Sequence, residues 1–263
     1  MNVGPKAMIL HYQEYGNGQP LVILHGLLGS LDNWHTLSKT FAVSFRVLAV
    51  DQRNHGRSPH SDVCTYDAMA EDLIELLDHL KIPSAHLLGH SMGGKTAMQF
   101  ALSNPSRVDR LIVVDIAPRE YPRLHDEILD ALASVNLSAS ASRQQIDDEL
   151  SKRIPDLAVR QFLMKNLTRD CGRVFTWKAN LQAIRRNYTE IAREITSEMP
   201  FPGPTLFVKG DRVDYVLDSD VPMIKKLFPI AQIVRVNAGH WIHAEAPMVF
   251  ADIVTSFLRG EPH

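Results

Sequence analysis

The chain has 263 residues and a formal net charge of −2, with 45% hydrophobic and 22% charged residues, all ordinary for a soluble globular protein. Its length predicts one large domain, or a domain with a smaller insert. The near-neutral charge, with no long run of like charges, argues against a nucleic-acid partner.

Targeting and redox features are weak. Cys64 and Cys171 are far apart and lack the spacing of a disulfide framework or a zinc site. Residues 1–16 lack the apolar core of a secretory signal, and no apolar run approaches the ~20 residues of a membrane helix. We therefore expect a cytoplasmic protein with reduced thiols and no membrane partner, whose oligomeric state the sequence leaves open.

The first half alternates short apolar runs with amphipathic segments. Helices are predicted where apolar residues recur at helical spacing and a cap or proline sets the boundary, over 65–80 and 92–104. Strands are predicted at the fully apolar runs 21–24, 47–50, 86–88 and 111–114. Fully apolar strands alternating with helices predict a parallel sheet covered on both faces.

The pattern changes after residue 118. Residues 119–200 contain helical patterns and no convincing strand, and the breaker cluster 200–204 closes this segment. We interpret 119–200 as a helical cap inserted in an α/β core made of residues 1–118 and 201–263. Within the second part of the core, strands are predicted at 205–208 and 233–236, and helices at 221–227 and 247–258.

The central motif is Gly89-His90-Ser91-Met92-Gly93, which follows a predicted strand and opens a predicted helix. A sharp turn in this setting exposes a serine hydroxyl, and the glycines let neighbouring backbone pass close by. The Met92 amide then faces a developing oxyanion. The bland alternative is a glycine-rich turn with an ordinary serine.

Two further segments are expected at the same edge of the sheet. His25-Gly26-Leu27-Leu28-Gly29 follows the first apolar strand, and the Leu27 amide is the candidate second oxyanion donor; a simple loop is the alternative. His240 follows the last strand and is the candidate general base. His243 is the weaker competitor, and we interpret His90 as a packing or rim residue.

The acid partner of His240 stays open at the level of residue patterns. Asp115 ends the strand after the nucleophile helix, whereas Asp211 and Asp214 follow Gly210 at the end of a later strand. Either strand end can present a carboxylate that holds the imidazole tautomer. We favour Asp115 narrowly over Asp214.

The segment Asp51-Gln52-Arg53-Asn54-His55-Gly56-Arg57-Ser58 is rich in turn-forming residues, and we interpret it as a structural loop beside the site. Together with His25-Gly26, Gly89-x-Ser91-x-Gly93-Gly94 and Gly239-His240, it resembles the α/β-hydrolase superfamily. The chain is similar in more detail to small bacterial esterases of the YbfF type, and more distantly to mitochondrial ABHD-eleven-like hydrolases. The closer match lies in residues 25–30, 51–56 and 114–118.

This resemblance implies an α/β-hydrolase fold, with residues 119–200 as a lid, and hydrolysis of carboxylic esters, with acyl-coenzyme A thioesters among the expected substrates. It also implies that the acid stands at Asp115. Many superfamily members instead place the acid three residues after the glycine that ends the later strand. That position is Val213 here, and Asp214 lies one residue further on.

The expected chemistry is two-step acyl transfer through an acyl-enzyme, which needs no metal ion and no cofactor. Expected substrate contacts are His25, Gly26, His90 and Trp241, together with lid residues. We expect five lid side chains to line an acyl pocket: Phe162, Leu163, Phe175, Trp177 and Leu181. The alternative is that these side chains only pack the lid helices against each other. We expect four lid arginines to bind the phosphates of a coenzyme A ester: Arg119, Arg123, Arg185 and Arg186. The alternative is that these arginines only form a solvated lid surface.

Fold alone does not fix the reaction. The same triad serves cofactor-free haloperoxidases and carbon–carbon bond hydrolases. Ser91 argues against epoxide hydrolases and dehalogenases, which use an aspartate nucleophile on this fold. A non-catalytic ligand receptor built on the fold is the alternative from another class, and an intact set of Ser91, His240 and acid weighs against it.

Overall fold

The computed structural model of the protein describes residues 8–261 and contains one seven-stranded sheet. Its strands are β1 (Tyr12–Tyr15), β2 (Gln19–Leu24), β3 (Phe45–Val50), β4 (Ala85–His90), β5 (Val108–Val114), β8 (Thr205–Gly210) and β9 (Gln232–Val236). They lie in the order β1-β3-β2-β4-β5-β8-β9. Only β1 is antiparallel to its neighbour, so the predicted α/β-hydrolase fold, with a mostly parallel sheet, is confirmed.

The register brings the carboxyl ends of the central strands side by side. Leu24 pairs with Gly89, His90 with Val114, and Val114 with Val208. Parallel strands all end at the same edge of a sheet, so the loops that follow β2, β4, β5 and β8 converge there.

Helices cover both faces of this sheet. They are α1 (His35–Phe41), α2 (Tyr66–His79), α3 (Met92–Ser103), α9 (Val221–Leu227), α10 (Ile242–Glu245) and α11 (Pro247–Arg259). The predicted start of α2 is confirmed, because the Thr65 hydroxyl accepts a hydrogen bond from the Ala68 amide at 3.3 Å. The sequence analysis did not predict β1, α1 or α10, which are short elements without a clear apolar period.

The segment 119–200, which we call the cap, carries α4 (Asp126–Ser134), α5 (Arg143–Ser151), α6 (Leu157–Met164), α7 (Leu181–Arg186) and α8 (Tyr188–Ala192). The prediction of no strand in the cap is wrong. β6 (Leu167–Arg169) and β7 (Phe175–Trp177) form an antiparallel pair. Strands of three residues are too short to show the period-two pattern by which strands are recognised.

The cap is anchored to the core beside the converging loops. The Asn180 amide donates to the Asn54 carbonyl oxygen at 2.9 Å, and the Asn166 side-chain amide donates to the Leu28 carbonyl oxygen. Within residues 8–261 no helix is both long and apolar enough to cross a membrane. Cys64 is buried and Cys171 is exposed, and both are free thiols.

Candidate active site

Ser91 lies on a sharp turn between the end of β4 and the start of α3. Its φ of +53° is in the left-handed region that residues other than glycine rarely adopt. The turn is so tight that a Cβ on Gly89 would lie 2.1 Å from the Gly93 carbonyl oxygen, and one on Gly93 would lie 2.5 Å from the Leu24 carbonyl oxygen. Only glycine fits these two positions, and the turn presents Ser91 to a cavity.

Asp115 contacts His240 across the sheet edge. The Nδ1 atom of His240 lies 2.8 Å from Oδ2 of Asp115, and Oδ1 of the same carboxylate accepts a hydrogen bond from the Gly210 amide at 2.9 Å. An ionised carboxylate only accepts, so Nδ1 carries the proton and Nε2 is left unprotonated. Asp115 is fully buried, and burial raises its pKa to about 7, while burial also lowers the pKa of His240.

The competing candidates are engaged in other contacts. Asp214 is exposed, and its backbone carbonyl oxygen accepts a hydrogen bond from Arg119. His243 is buried and stacks on the Trp34 indole with ring centroids 4.4 Å apart. The carboxylate that contacts His240 is therefore that of Asp115, and His243 is held as a packing residue.

Three residues that the sequence analysis did not assign to this role hold the His240 loop. The Tyr215 ring stacks on the His240 imidazole with centroids 3.7 Å apart. The Glu245 carboxylate accepts from the Gly239 amide at 2.8 Å and from the Trp241 amide at 3.3 Å. The His90 Nε2 atom donates to the His240 carbonyl oxygen at 2.8 Å, which ties this loop to the strand that carries Ser91.

The two backbone amides predicted as oxyanion donors are those of Met92 and Leu27. Met92 is the first residue of α3, where amides have no acceptor within the helix. Among the hydrogen bonds of residues 8–261, neither the Met92 amide nor the Leu27 amide has a protein acceptor. Leu27 and Ser91 border the same two cavities.

The Ser91 hydroxyl makes no hydrogen bond to the His240 ring within the part of the chain that the structure describes. Both residues line one cavity, and His240 is already oriented by Asp115. In free enzymes this contact is often long and forms only when substrate binds.

Two buried neutral histidines fix the loop that carries Leu27. Nε2 of His25 accepts from the Gln52 amide at 3.1 Å, and Nε2 of His55 accepts from the Leu28 amide at 3.2 Å. Burial lowers the pKa of His25 to about 4 and that of His55 to about 3, so both rings stay neutral and can accept. His25 therefore acts through the backbone, although it also borders the cavity.

The loop 51–58 also stabilises the neighbouring backbone. Asp51 accepts from the Leu31 amide at 2.8 Å and from the Arg57 amide at 2.9 Å. Arg53 forms a buried bidentate ion pair with Asp72, with distances of 2.6 and 2.7 Å. These contacts confirm the interpretation of residues 51–58 as a structural loop beside the site.

The main cavity has a volume of about 260 Å³. Of the residues expected from sequence, it is bordered by His25, Gly26, Leu27, His90, Ser91, Phe162, Leu163, His240 and Trp241. Phe162 from the cap and Trp241 from the core contact each other with ring centroids 5.4 Å apart. Cap and core therefore close this cavity together.

Other expected substrate contacts do not border this cavity or the smaller one beside it. Trp177 donates its indole N–H to the Leu132 carbonyl oxygen at 3.1 Å inside the cap. Phe175 is buried, and Leu181 packs against the same apolar cluster. These three residues pack within the cap, and their role in an acyl pocket stays a prediction.

The four arginines expected to meet coenzyme A phosphates are each paired with a carboxylate. The pairs are Arg119–Asp220 at 3.3 Å, Arg123–Asp126 at 2.7 Å, Arg185–Asp130 at 2.7 Å and Arg186–Asp62 at 2.5 Å. None of the four borders either cavity. Arg185 and Arg186 are therefore exposed, ion-paired side chains away from both cavities, and their contact with substrate stays a prediction.

Comparison with known proteins places this site in a family. Residues 19–247 match the model of the α/β-hydrolase fold family. The sn-1-specific diacylglycerol lipase ABHD11 of Danio rerio is 41% identical over 254 residues, which cover 93% of this chain and 80% of that protein. Esterase YbfF of Escherichia coli K12 is 37% identical over 250 residues, which cover 94% of this chain and 96% of YbfF.

A solved structure described as a marine microorganism esterase has a TM-score of 0.93 and 42% sequence identity, covering 95% of this chain and 99% of that one. The chain therefore belongs to the α/β-hydrolase family, and it is a hydrolase. The resemblance to YbfF-type proteins predicted from the sequence is confirmed.

Gly26 allows the loop that carries Leu27 to approach the nucleophile turn. A Cβ at this position would lie 2.9 Å from Nδ1 of His90 and 3.2 Å from the Ser91 Cβ. We expect Gly26→Ala to displace the Leu27 amide and to lower kcat by about 10²–10³-fold, the typical effect of losing one oxyanion donor.

The measurement is steady-state hydrolysis of p-nitrophenyl butyrate. Gly172→Ala is the matched control, because Gly172 lies on the exposed β6–β7 turn and its nearest neighbour to a new Cβ is 3.3 Å away. Equal activity of both variants would contradict the assignment of Leu27 as a donor.

Proposed function

We propose that the protein is a serine hydrolase of carboxylic esters that acts through Ser91, His240 and Asp115 and an acyl-enzyme intermediate. The observation that carries this proposal is the 2.8 Å contact between His240 and the buried Asp115, on a ring that shares a cavity with Ser91. The relatives named as esterase or lipase support ester bonds as the target.

In the first step, the unprotonated Nε2 of His240 removes the Ser91 hydroxyl proton as the serine oxygen attacks the ester carbonyl carbon. The negative charge moves to the carbonyl oxygen, where the Leu27 and Met92 amides donate to it. Asp115 stabilises the imidazolium that forms, because its carboxylate already holds Nδ1–H. His240 then gives the proton to the departing alkoxide, which leaves as the alcohol.

In the second step, His240 accepts a proton from water as the water oxygen attacks the acyl-enzyme. The same two amides hold the second oxyanion. Collapse releases the carboxylic acid and returns the proton to Ser91, so each cycle consumes one ester and one water.

Oxygen esters are the substrate class that these observations favour. A thioester would react by the same steps, but the arginines expected to bind coenzyme A phosphates are paired with acidic side chains and border neither cavity. Nothing at the cavity therefore favours an acyl-coenzyme A over an uncharged ester.

Loss of the nucleophile is the first test. We expect Ser91→Ala to reduce hydrolysis of p-nitrophenyl butyrate by about 10⁶-fold, since removing the serine of such a triad leaves only binding and oxyanion stabilisation. Unfolding curves should show that the variant still folds. Retained activity in the folded variant would reject the proposal.

The acid partner is tested by a matched pair of substitutions. Asp115→Asn keeps the shape of the side chain but removes the carboxylate that fixes the His240 tautomer, and should lower kcat by about 10⁴-fold. Asp214→Asn changes an exposed side chain and should leave kcat close to that of the unmodified protein. The reverse ranking in the same kinetic assay would transfer the role to Asp214.

The pH profile follows from the buried His240–Asp115 pair. In the active form of the enzyme, Asp115 is ionised and the His240 imidazole is neutral. When the pair takes up one proton, the buried negative charge is lost and His240 can no longer act as the base. Burial raises the pKa of Asp115 to about 7, so we expect kcat/KM to be full above that pH and to be lost as the pH falls through it. A profile of kcat/KM that stays flat well below neutral pH would contradict this coupling.

A further inference from the structure

Two cavities meet at Ser91. The larger one, of about 260 Å³, lies between the cap and the His240 loop. The smaller one, of about 40 Å³, lies along the first turn of α3. Ser91 and Leu27 border both cavities, so an acyl carbon bonded to the Ser91 oxygen would lie where the two cavities meet.

The two cavities differ in which catalytic group they contain. His240 borders only the larger cavity, and Met92 borders only the smaller one. His240 gives its proton to the departing oxygen, so the alcohol portion must lie on the side of the imidazole. The acyl substituent then extends the other way, past Met92 and along α3.

Resting on the esterase function proposed above, we propose that the smaller cavity binds the acyl group and the larger cavity binds the alcohol, so that the preferred substrates are esters of short acyl groups with larger apolar alcohols. At about 40 Å³, against about 260 Å³ for its neighbour, the smaller cavity takes the shorter of the two portions of the ester.

The end of the smaller cavity is polar. Lys95 lies one helical turn after Ser91 and is 1% exposed. Its ammonium donates to the Ala192 carbonyl oxygen at 3.2 Å and to the Arg193 carbonyl oxygen. Its nitrogen also lies 4.9 Å from the centroid of the Tyr121 ring. A long alkyl chain that reached Lys95 would therefore contact a buried polar group instead of apolar side chains.

Five histidines and Asn33 border the larger cavity, but its wall on the cap side is apolar. Ile128, Val159, Phe162 and Leu163 of the cap face Trp241 of the core across it. These side chains match a hydrocarbon alcohol, and at about 260 Å³ the space takes a six-carbon chain with room to spare.

Two isomeric esters test this orientation. Hexyl acetate has a two-carbon acyl group and a six-carbon alcohol, whereas ethyl hexanoate has the reverse, so the two share one composition and nearly one hydrophobicity. We expect kcat/KM for hexyl acetate to exceed that for ethyl hexanoate by about 100-fold, since each methylene that a pocket cannot accept costs about 10-fold or more.

Two isoleucine truncations then locate the acyl group. Ile191 borders only the smaller cavity and Ile128 only the larger one. Ile191→Ala should raise kcat/KM for ethyl hexanoate relative to hexyl acetate. Ile128→Ala removes the same atoms from the other cavity and should leave the preference for the short acyl group in place. Lys95→Met removes the polar end at similar length and should act in the same direction as Ile191→Ala.

The isomer ratio of the unmodified protein does not depend on whether any variant folds. A ratio near one, a preference for ethyl hexanoate, or relaxation by Ile128→Ala instead of Ile191→Ala would overturn the orientation. Failure to hydrolyse either ester, or hydrolysis that survives Ser91→Ala, would instead count against the proposed esterase function itself.

Discussion

The close approach of backbone around Ser91 is the constraint on which the rest of the site depends. A side chain on Gly89 or Gly93 would overlap the neighbouring carbonyl oxygen atoms, so only glycine allows β4 to turn directly into α3. This turn forces Ser91 into a left-handed backbone conformation that costs about 1–3 kcal/mol in such residues. The packed sheet beneath the turn supplies the stability that maintains it.

The other groups of the site are held by side chains that hydrogen-bond to the loops carrying them or stack on them. His25 and His55 accept amide protons that position the Leu27 loop, and burial keeps both rings uncharged. Glu245 and Tyr215 play the corresponding part for the loop that carries His240. A rigid core thereby presents the reacting groups in a fixed relation, which is the main requirement for stabilising a transition state electrostatically.

The cap has a different role. It supplies one wall of the larger cavity through α4 and α6, and its return segment closes the smaller cavity at Ile191 and Ala192. Lys95 links this return segment to the helix that starts at Ser91. Substitutions in the cap should therefore change which esters are accepted, while substitutions at the sheet edge should change how fast any ester reacts.

Much of the fold could be predicted from the sequence, because buried parallel strands are continuous apolar runs and α2 and α3 carry clear boundary residues. The prediction for α2, 65–80, compares with Tyr66–His79 in the structure. The turn at Ser91 could also be predicted, because its glycines are adjacent in the sequence. The apolar residues of the cap were harder to interpret. Trp177 and Phe162 are both large aromatic residues, but Trp177 hydrogen-bonds inside the cap whereas Phe162 borders the larger cavity.

Long-range geometry explains the remaining gaps. Asp115 and Asp214 both follow strand ends, and only the three-dimensional arrangement shows that one contacts His240 while the other is exposed. Tyr215 and Lys95 lie in no motif, because their roles depend on residues tens of positions away, and Glu245 acts on amides four and six positions before it without a recognisable pattern. The arginines of the cap resembled a phosphate-binding set in sequence, but each is paired with an acidic side chain.

The central claim is that one serine hydroxyl, activated by one imidazole, forms a covalent bond to the substrate acyl group. Mass spectrometry of the protein after reaction with a fluorophosphonate probe measures this most directly. The account predicts a single adduct on the peptide that contains Ser91, formed far more slowly in His240→Ala. An unlabelled Ser91, or labelling at the same rate without His240, would contradict it.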